Sequence, residues 1–276
     1  MKPKVFSVKF WGVRGSLPVS GPAFQTFGGH TACIQVTCGS RNFLFDAGSG
    51  IVNAAAELRA LEVGRVDLFF SHSHYDHILG LPYFGPLFDK SMSIDIWAGH
   101  LHGKMPARQM VEEFVSPPWV AEKLVIPAHG VNFHDFAPGD KLRPAPGVVI
   151  TTAALNHPGG CVGYRIKWGS KSLAFVYDIE HRPGELDPVA LSLMAGADLV
   201  VYDSAYLDEE MGIYKGFGHS TWQQGVRLAR TARAKRILFF HHMPMRKDCD
   251  VLEIERAAQA IFPNAAAARQ DMKLDI

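Results

Sequence analysis

The run His72-Ser73-His74-Tyr75-Asp76-His77 directly follows the apolar stretch Val66–Phe70, and it restricts the chain to folds that end a β-strand on a cluster of polar ligands. A strand supplies a rigid base, and its C-terminal end presents a loop. Alternate side chains of extended chain share a face. His72, His74 and Asp76 can therefore converge, while His77 leaves the alternation and reaches a second centre. Imidazole and carboxylate together suit zinc, manganese or iron better than calcium or magnesium. A lone histidine is more often a surface or core residue. Three histidines and one aspartate within six residues at a strand end make a metal site the expectation.

The remaining chain reads as strands and helices able to carry such a site. Runs rich in Val, Ile, Phe or Thr predict strands at Val5–Phe10, Ala32–Thr37, Asn42–Phe45, Val66–Phe70 and Ser93–Trp97. A second series follows at Val148–Thr152, Gly163–Trp168, Ser172–Tyr177, Leu199–Tyr202 and Ile237–Phe240. Helical periodicity falls between them, at Ile51–Leu61, Lys104–Phe114, Thr221–Ala234 and Val251–Ile261, the last stopped by Pro263-Asn264. Strands come first in each half and then alternate with helices. That order suits an α/β fold of two sheets packed face to face with helices outside. Residues 100–146 are rich in proline and read as a loop-rich insertion with one helix, overhanging the site. With no low-complexity linker and no short repeat, residues 1–276 are expected to form a single domain.

Of the 276 residues 47% are hydrophobic and 20% charged, enough apolar material for a core that needs no stapling. The 28 Lys plus Arg nearly balance the 27 Asp plus Glu, so global charge gives no case for long nucleic acids. The four cysteines (Cys33, Cys38, Cys161 and Cys249) form no C-x-x-C pair and read as reduced thiols, Cys33 and Cys161 as core fillers. The stretch Met1–Phe6 is a poor signal peptide, because Lys9 and Arg14 interrupt any apolar run. No stretch approaches a membrane span. A cytoplasmic location is the expectation.

The H-x-H-x-D-H pattern resembles the signature of the metallo-β-lactamase superfamily, and further elements follow in that family's order along nearly the whole chain. Asp46-Ala47-Gly48-Ser49-Gly50 is similar to the family's D-x-G turn, and the resemblance implies that Asp46 orients a ligand. Asn156-His157-Pro158-Gly159-Gly160, Tyr177-Asp178 and His241-His242 match later ligand positions. The implied fold is the four-layer αββα sandwich. The implied ligand set places His72, His74 and His157 on one divalent metal and Asp76, His77 and His241 on the other, with Asp178 between them. Zinc is the first candidate, with manganese and iron also compatible. Such a pair lies about 3.5–4 Å apart, lowers the pKa of a water and stabilises a phosphoryl or acyl oxygen. His241 is preferred to His242 on its spacing from His219. Asp203 competes with Asp178 for the bridge and is given a supporting role.

Gly218-His219-Ser220-Thr221 looks like the H-S-T element of the phosphodiesterase branch that includes ribonuclease Z. In that branch the histidine sits beside the metals as a general acid, which makes His219, with Asp76, the catalytic candidates; Ser220 or Thr221 can also cap the following helix. Flavodiiron proteins carry Glu where this chain has His74, which disfavours redox chemistry. The glycine-rich Gly12–Pro18 loop, with Gly28–Thr31, resembles the opening loop of small-molecule phosphodiesterases. Arg14 there could meet a phosphate or be a solvated turn residue, and His30 reads as structural. Arg227, Arg230, Arg233, Lys235 and Arg236 form a basic run that could touch phosphates or be a solvated face. No tRNA-clamping arm is evident. A small phosphodiester such as a cyclic nucleotide is therefore the expected substrate. The alternatives are tRNA 3′ processing, hydrolysis of a lactone or other ester, and a non-catalytic metal carrier. Relatives in this branch are often dimers, which leaves a homodimer open. His100, His102, His129, His134, His181 and His242 read as structural or surface residues, His129 and His134 towards the entrance; Phe84, Phe88 and Trp119 are candidates for an apolar wall or for core packing.

Overall fold

The computed structural model describes residues 5–89, 91–182 and 184–276, so the Met1–Lys4 part of the N-terminal reading lies outside it. In chain order the first elements are β1 (Phe6–Gly12), β2 (Cys33–Cys38), β3 (Arg41–Phe45), α1 (Ile51–Ala60), β4 (Arg65–Phe70), α2 (Tyr75–Ile78), α3 (Pro86–Asp89) and β5 (Ser93–Ala98). Next come α4 (Ala107–Phe114), β6 (Val131–Asp135), β7 (Lys141–Leu142), β8 (Val148–Leu155), β9 (Cys161–Trp168) and β10 (Lys171–Val176). The chain finishes with α5 (Pro188–Met194), β11 (Leu199–Asp203), α6 (Met211–Tyr214), α7 (Trp222–Thr231), β12 (Ile237–Phe240), α8 (Asp248–Ile261), β13 (Ala265–Ala267) and β14 (Lys273–Asp275).

These strands make two seven-stranded sheets, ordered β14-β1-β2-β3-β4-β5-β6 and β13-β12-β11-β10-β9-β8-β7. Their side chains alternate as the pleat requires. Phe43 and Phe45 of β3 face the layer between the sheets, and Leu44 faces outward under the helices. In β11, Val201 faces inward while Val200 and Tyr202 pack outward. One outer layer holds α1 and α4 against the first sheet; the other holds α5 and α7 against the second. The expected αββα order is the observed one. Cys33 and Cys161 fill the two outer layers, and no cysteine is paired.

The departures have local causes. α4 starts at Ala107 rather than Lys104, because extended Pro106 is its N-cap. α7 starts after Thr221, whose side chain accepts from the Gln224 N–H. β13 is Ala265-Ala266-Ala267, which has no strand propensity of its own and is held by parallel pairing to β12. β14 returns to the first sheet beside β1, so the two halves of the chain do not map cleanly onto the two sheets. Residues 100–146 are less of an appendage than expected: β6 extends the first sheet and β7 the second. Among the described residues no helix is long and apolar enough to cross a membrane.

Strand direction decides where a site can form. β3 and β4 run parallel, as do β10, β11 and β12. β8 and β10 both pair antiparallel with β9, so they share a direction. Each expected ligand sits just past, and Asp203 at, the C-terminal end of one of these strands, where open α/β sheets place their binding residues. The Tyr164 hydroxyl of β9 donates to the Phe70 carbonyl at 2.5 Å and ties the two sheets together beside this edge.

Phe45 is the hub of the inter-sheet layer, with its ring centroid 4.7 Å from Phe175, 5.1 Å from Phe69 and 5.3 Å from Tyr164. Phe45→Ala should cost about 3–5 kcal/mol. Urea unfolding checks this, and the slope against denaturant should stay unchanged.

Candidate metal centre

Four groups of side chains converge at the joined strand ends, each with its ligand atoms within 4.8 Å of one another: His72, His74 and His157; His72, His77 and Asp178; Asp76, His77 and His241; and Asp178, Asp203, His219 and His241. The groups overlap, so they form one elongated cluster. His157 Nε2 lies 3.0 Å from His74 Nδ1 at one end. At the other, His241 Nε2 lies 3.0 Å from Asp76 Oδ2 and 3.3 Å from His77 Nε2. Asp178 reaches both ends, with Oδ1 3.3 Å from His241 Nε2 and 3.9 Å from His72 Nε2.

Sharp turns aim these groups. Asp46, Asp178 and His241 all have positive φ, at 63°, 57° and 61°. A non-glycine residue held there costs about 1–3 kcal/mol and is found where surrounding structure enforces it. Asp46 shows the enforcement: its carboxylate accepts from the Ser71 N–H at 2.7 Å, the Ser71 hydroxyl at 2.8 Å and the Tyr177 hydroxyl at 2.9 Å. Its Oδ2 also lies 2.9 Å from His77 Nδ1, so His77 presents Nε2 to the cluster. His157 Nδ1 donates to the Gly218 carbonyl at 2.7 Å, which turns its Nε2 the same way.

The electrostatics ask for a cation. Burial opposes charge on His72, His74 and His157 and holds them neutral, the form that binds metal. Burial also opposes ionisation of Asp76, but His77 and His241 outweigh it and keep the carboxylate charged. Burial likewise opposes charge on Asp178, and His241, His77 and His72 prevail. His77 resists protonation through burial, yet Asp76, Asp178 and Asp46 drive its pKa well up. Three carboxylates thus draw positive charge onto one buried ring, a task divalent ions do better. Among the described residues His72 Nε2 and Asp178 Oδ2 are buried without a hydrogen-bond partner, as lone pairs reserved for an ion would be. The donor set fits two divalent metals.

His219 stands beside the cluster. Its Nδ1 lies 3.0 Å from Asp203 Oδ2 and 3.6 Å from Asp178 Oδ1, and its ring stacks on His241 at 4.7 Å. Asp203 also accepts from the backbone N–H groups of Asp178 at 3.0 Å and Ala205 at 3.0 Å, so it is occupied in holding the site. Burial works against a proton on His219, but Asp203 outweighs it and pushes the pKa up to about 9.

Two further expectations, on Arg14 and His134, need correction. Arg14 is neither solvated nor facing a substrate. It is fully buried, with Nε donating to the Gly28 carbonyl at 2.8 Å and Nη1 to the Arg246 carbonyl at 2.7 Å. His242, next to His241, turns away to the Ala268 carbonyl at 2.9 Å. His134 does not line an entrance; it bonds Asp95 at 2.8 Å and stacks on Trp97 at 4.0 Å. Sequence reasoning missed Ser71 and Tyr177 as partners of Asp46, and the Ser16 N–H, which donates to Asp76 Oδ2 at 2.7 Å. It also missed why the opening loop needs Gly15, where a Cβ would lie 2.1 Å from the His241 ring. The Gly-Val-Arg-Gly-Ser pattern was the available signal. Asp46→Asn should weaken zinc binding about 10–100-fold by releasing His77, as read by competition with a chromogenic chelator.

The model of the beta-lactamase superfamily domain matches residues 41–242, a span from β3 to His242 that includes every residue of the cluster. Ribonuclease Z of Porphyromonas gingivalis is 25% identical over 93% of this chain and 96% of its own length. The metallo-beta-lactamase fold protein YhfI from Bacillus subtilis superposes with a TM-score of 0.76 at 18% identity, over 99% of this chain and 100% of that one. A diphosphatase of the PhnP family gives a TM-score of 0.71 at 17% identity, over 98% and 97%. The chain belongs to the metallo-β-lactamase superfamily, and with it to the metal-dependent hydrolases.

Proposed function

We propose that the chain is a dinuclear phosphodiesterase acting on a small phosphodiester such as a cyclic nucleotide. The observation that carries this reading is the His219–Asp203 pair at 3.0 Å, placed against the cluster. A carrier or a purely structural metal site has no use for a proton donor beside the ions. Hydrolysis of a phosphodiester does, because the departing alkoxide is a poor leaving group until protonated.

In this reading His72, His74 and His157 hold one ion, Asp76, His77 and His241 the other, and Asp178 lies between, zinc being the ion that best suits so many imidazoles. When bound, the ions supply an activated water and stabilise charge on the phosphoryl oxygens. The side chains do the rest. Asp46 fixes the His77 ring, and the Ser16 N–H fixes Asp76, which lines the reacting face and acts in catalysis as well as binding. Asp203 engages His219 Nδ1, leaving Nε2 as the nitrogen that delivers a proton to the leaving oxygen. Divalent cations held beside it would oppose the proton that Asp203 draws onto His219, lowering its pKa.

Cleavage of RNA 3′ ends is the second reading, supported by the ribonuclease Z relative at 25% identity. The basic run weighs against it. Arg227 pairs with Asp208 at 2.7 Å and Lys235 with Asp198 at 2.9 Å, so part of that charge is already answered within the chain.

With zinc or manganese bound, the protein should hydrolyse bis(p-nitrophenyl) phosphate, and His219→Ala should keep its metal and lose at least about 100-fold in kcat. Loss of metal instead would make His219 a ligand, and efficient trimming of precursor tRNA with no small-diester activity would favour the RNA reading. The pH dependence has a definite sign. His219 must be protonated, so the rate falls as pH rises through its pKa. Asp203 raises that pKa, so Asp203→Asn should move the alkaline limb of kcat to lower pH.

A further inference from the structure

An apolar groove opens beside the cluster, at the face where the metal motif meets the segment after β5. Its volume is about 380 Å³, and Tyr75, Leu101, Met105, Phe114 and Trp119 form its walls. Two features separate it from an ordinary surface dent. It begins at Ser73, the residue between His72 and His74, so whatever the cluster holds by a phosphate can extend into it without leaving the protein. It also exposes aromatic faces: Tyr75 is 59% exposed and Trp119 68%, although both are large rings that folding could have covered. The Tyr75 ring is braced edge-on against Phe114 of α4, with centroids 6.5 Å apart.

We propose that this groove is a subsite for a planar aromatic ring of the substrate, the nucleobase of a nucleotide phosphodiester, stacked on Trp119 and Tyr75. The assignment rests on the phosphodiesterase reading above and narrows it from any small diester to one that carries a base. Stacking on aromatic faces tolerates any base and needs no hydrogen-bond code. A separate recess, next to His219, is lined instead by polar and charged groups such as Arg182, Gln224 and Arg227. A substrate with one apolar ring and one polar, phosphate-bearing part matches this asymmetry.

The test uses the zinc-loaded protein and two ligands that differ in the base, thymidine 5′-monophosphate and 2-deoxyribose 5-phosphate. Of the five tryptophans only Trp119 is exposed, which makes its fluorescence a reporter that needs no turnover. The nucleotide should quench it and bind about tenfold more tightly than the sugar phosphate. With binding read by titration calorimetry, which needs no tryptophan, Trp119→Ala and Tyr75→Leu should each erase most of that preference, and Trp119→Phe should restore it. Equal affinity for the two ligands, or a preference untouched by these substitutions, overturns the subsite. Hydrolysis separates the two claims. In the wild-type protein, thymidine 5′-(p-nitrophenyl phosphate) should show a KM about tenfold below that of methyl p-nitrophenyl phosphate at similar kcat. Both diesters cleaved with equal KM would remove the subsite and keep the phosphodiesterase. Base-dependent binding with neither diester cleaved would keep the subsite and remove the phosphodiesterase.

Discussion

Nine candidate ligand or supporting side chains can meet in this protein because strands of both sheets end at one edge. β3 and β4 deliver Asp46 and the His72–His77 motif from one sheet; β8, β10, β11 and β12 deliver His157, Asp178, Asp203 and His241 from the other. The inter-sheet layer around Phe45, Phe175 and Tyr164 holds the two edges in register. An interior of this kind is close-packed and resists small displacements. The cluster therefore inherits its geometry from the core, and strain at Asp46, Asp178 and His241 is sustained by the same packing.

That arrangement sets up an electrostatic problem with a chemical use. Asp46, Asp76 and Asp178 all face His77. Leaving so much negative charge uncompensated in a buried place is costly, and two divalent ions are the compensation the ligand set invites. The residues immediately outside the cluster are specialised in turn. Asp203 serves His219, Asp46 serves His77, and the Gly218 carbonyl serves His157. Each engages one ring nitrogen and thereby decides what the other nitrogen faces.

The His72–His77 motif was legible in the sequence because it is compact: four candidate ligands in one loop after an apolar strand. His157, Asp178 and His241 were legible only by resemblance, since nothing local separates them from other polar residues at strand ends. His241 was preferred to His242 on spacing; in the structure His241 stands in the cluster and His242 turns to the Ala268 carbonyl. Arg14 was misread because a side chain whose partners are backbone carbonyls from residues 28, 243 and 246 leaves no trace near its own position. The edge strands β6, β7, β13 and β14 escaped for a related reason. They are short, and pairing across the fold, rather than their own propensity, makes them strands.

Anomalous diffraction from crystals grown with zinc would reveal a two-metal centre shared between the sheets. Two peaks about 3.5–4 Å apart are expected, one among His72, His74 and His157 and the other among Asp76, His77 and His241, with Asp178 between them. A single peak, or zinc held anywhere other than these residues, would rule out a dinuclear centre at this edge.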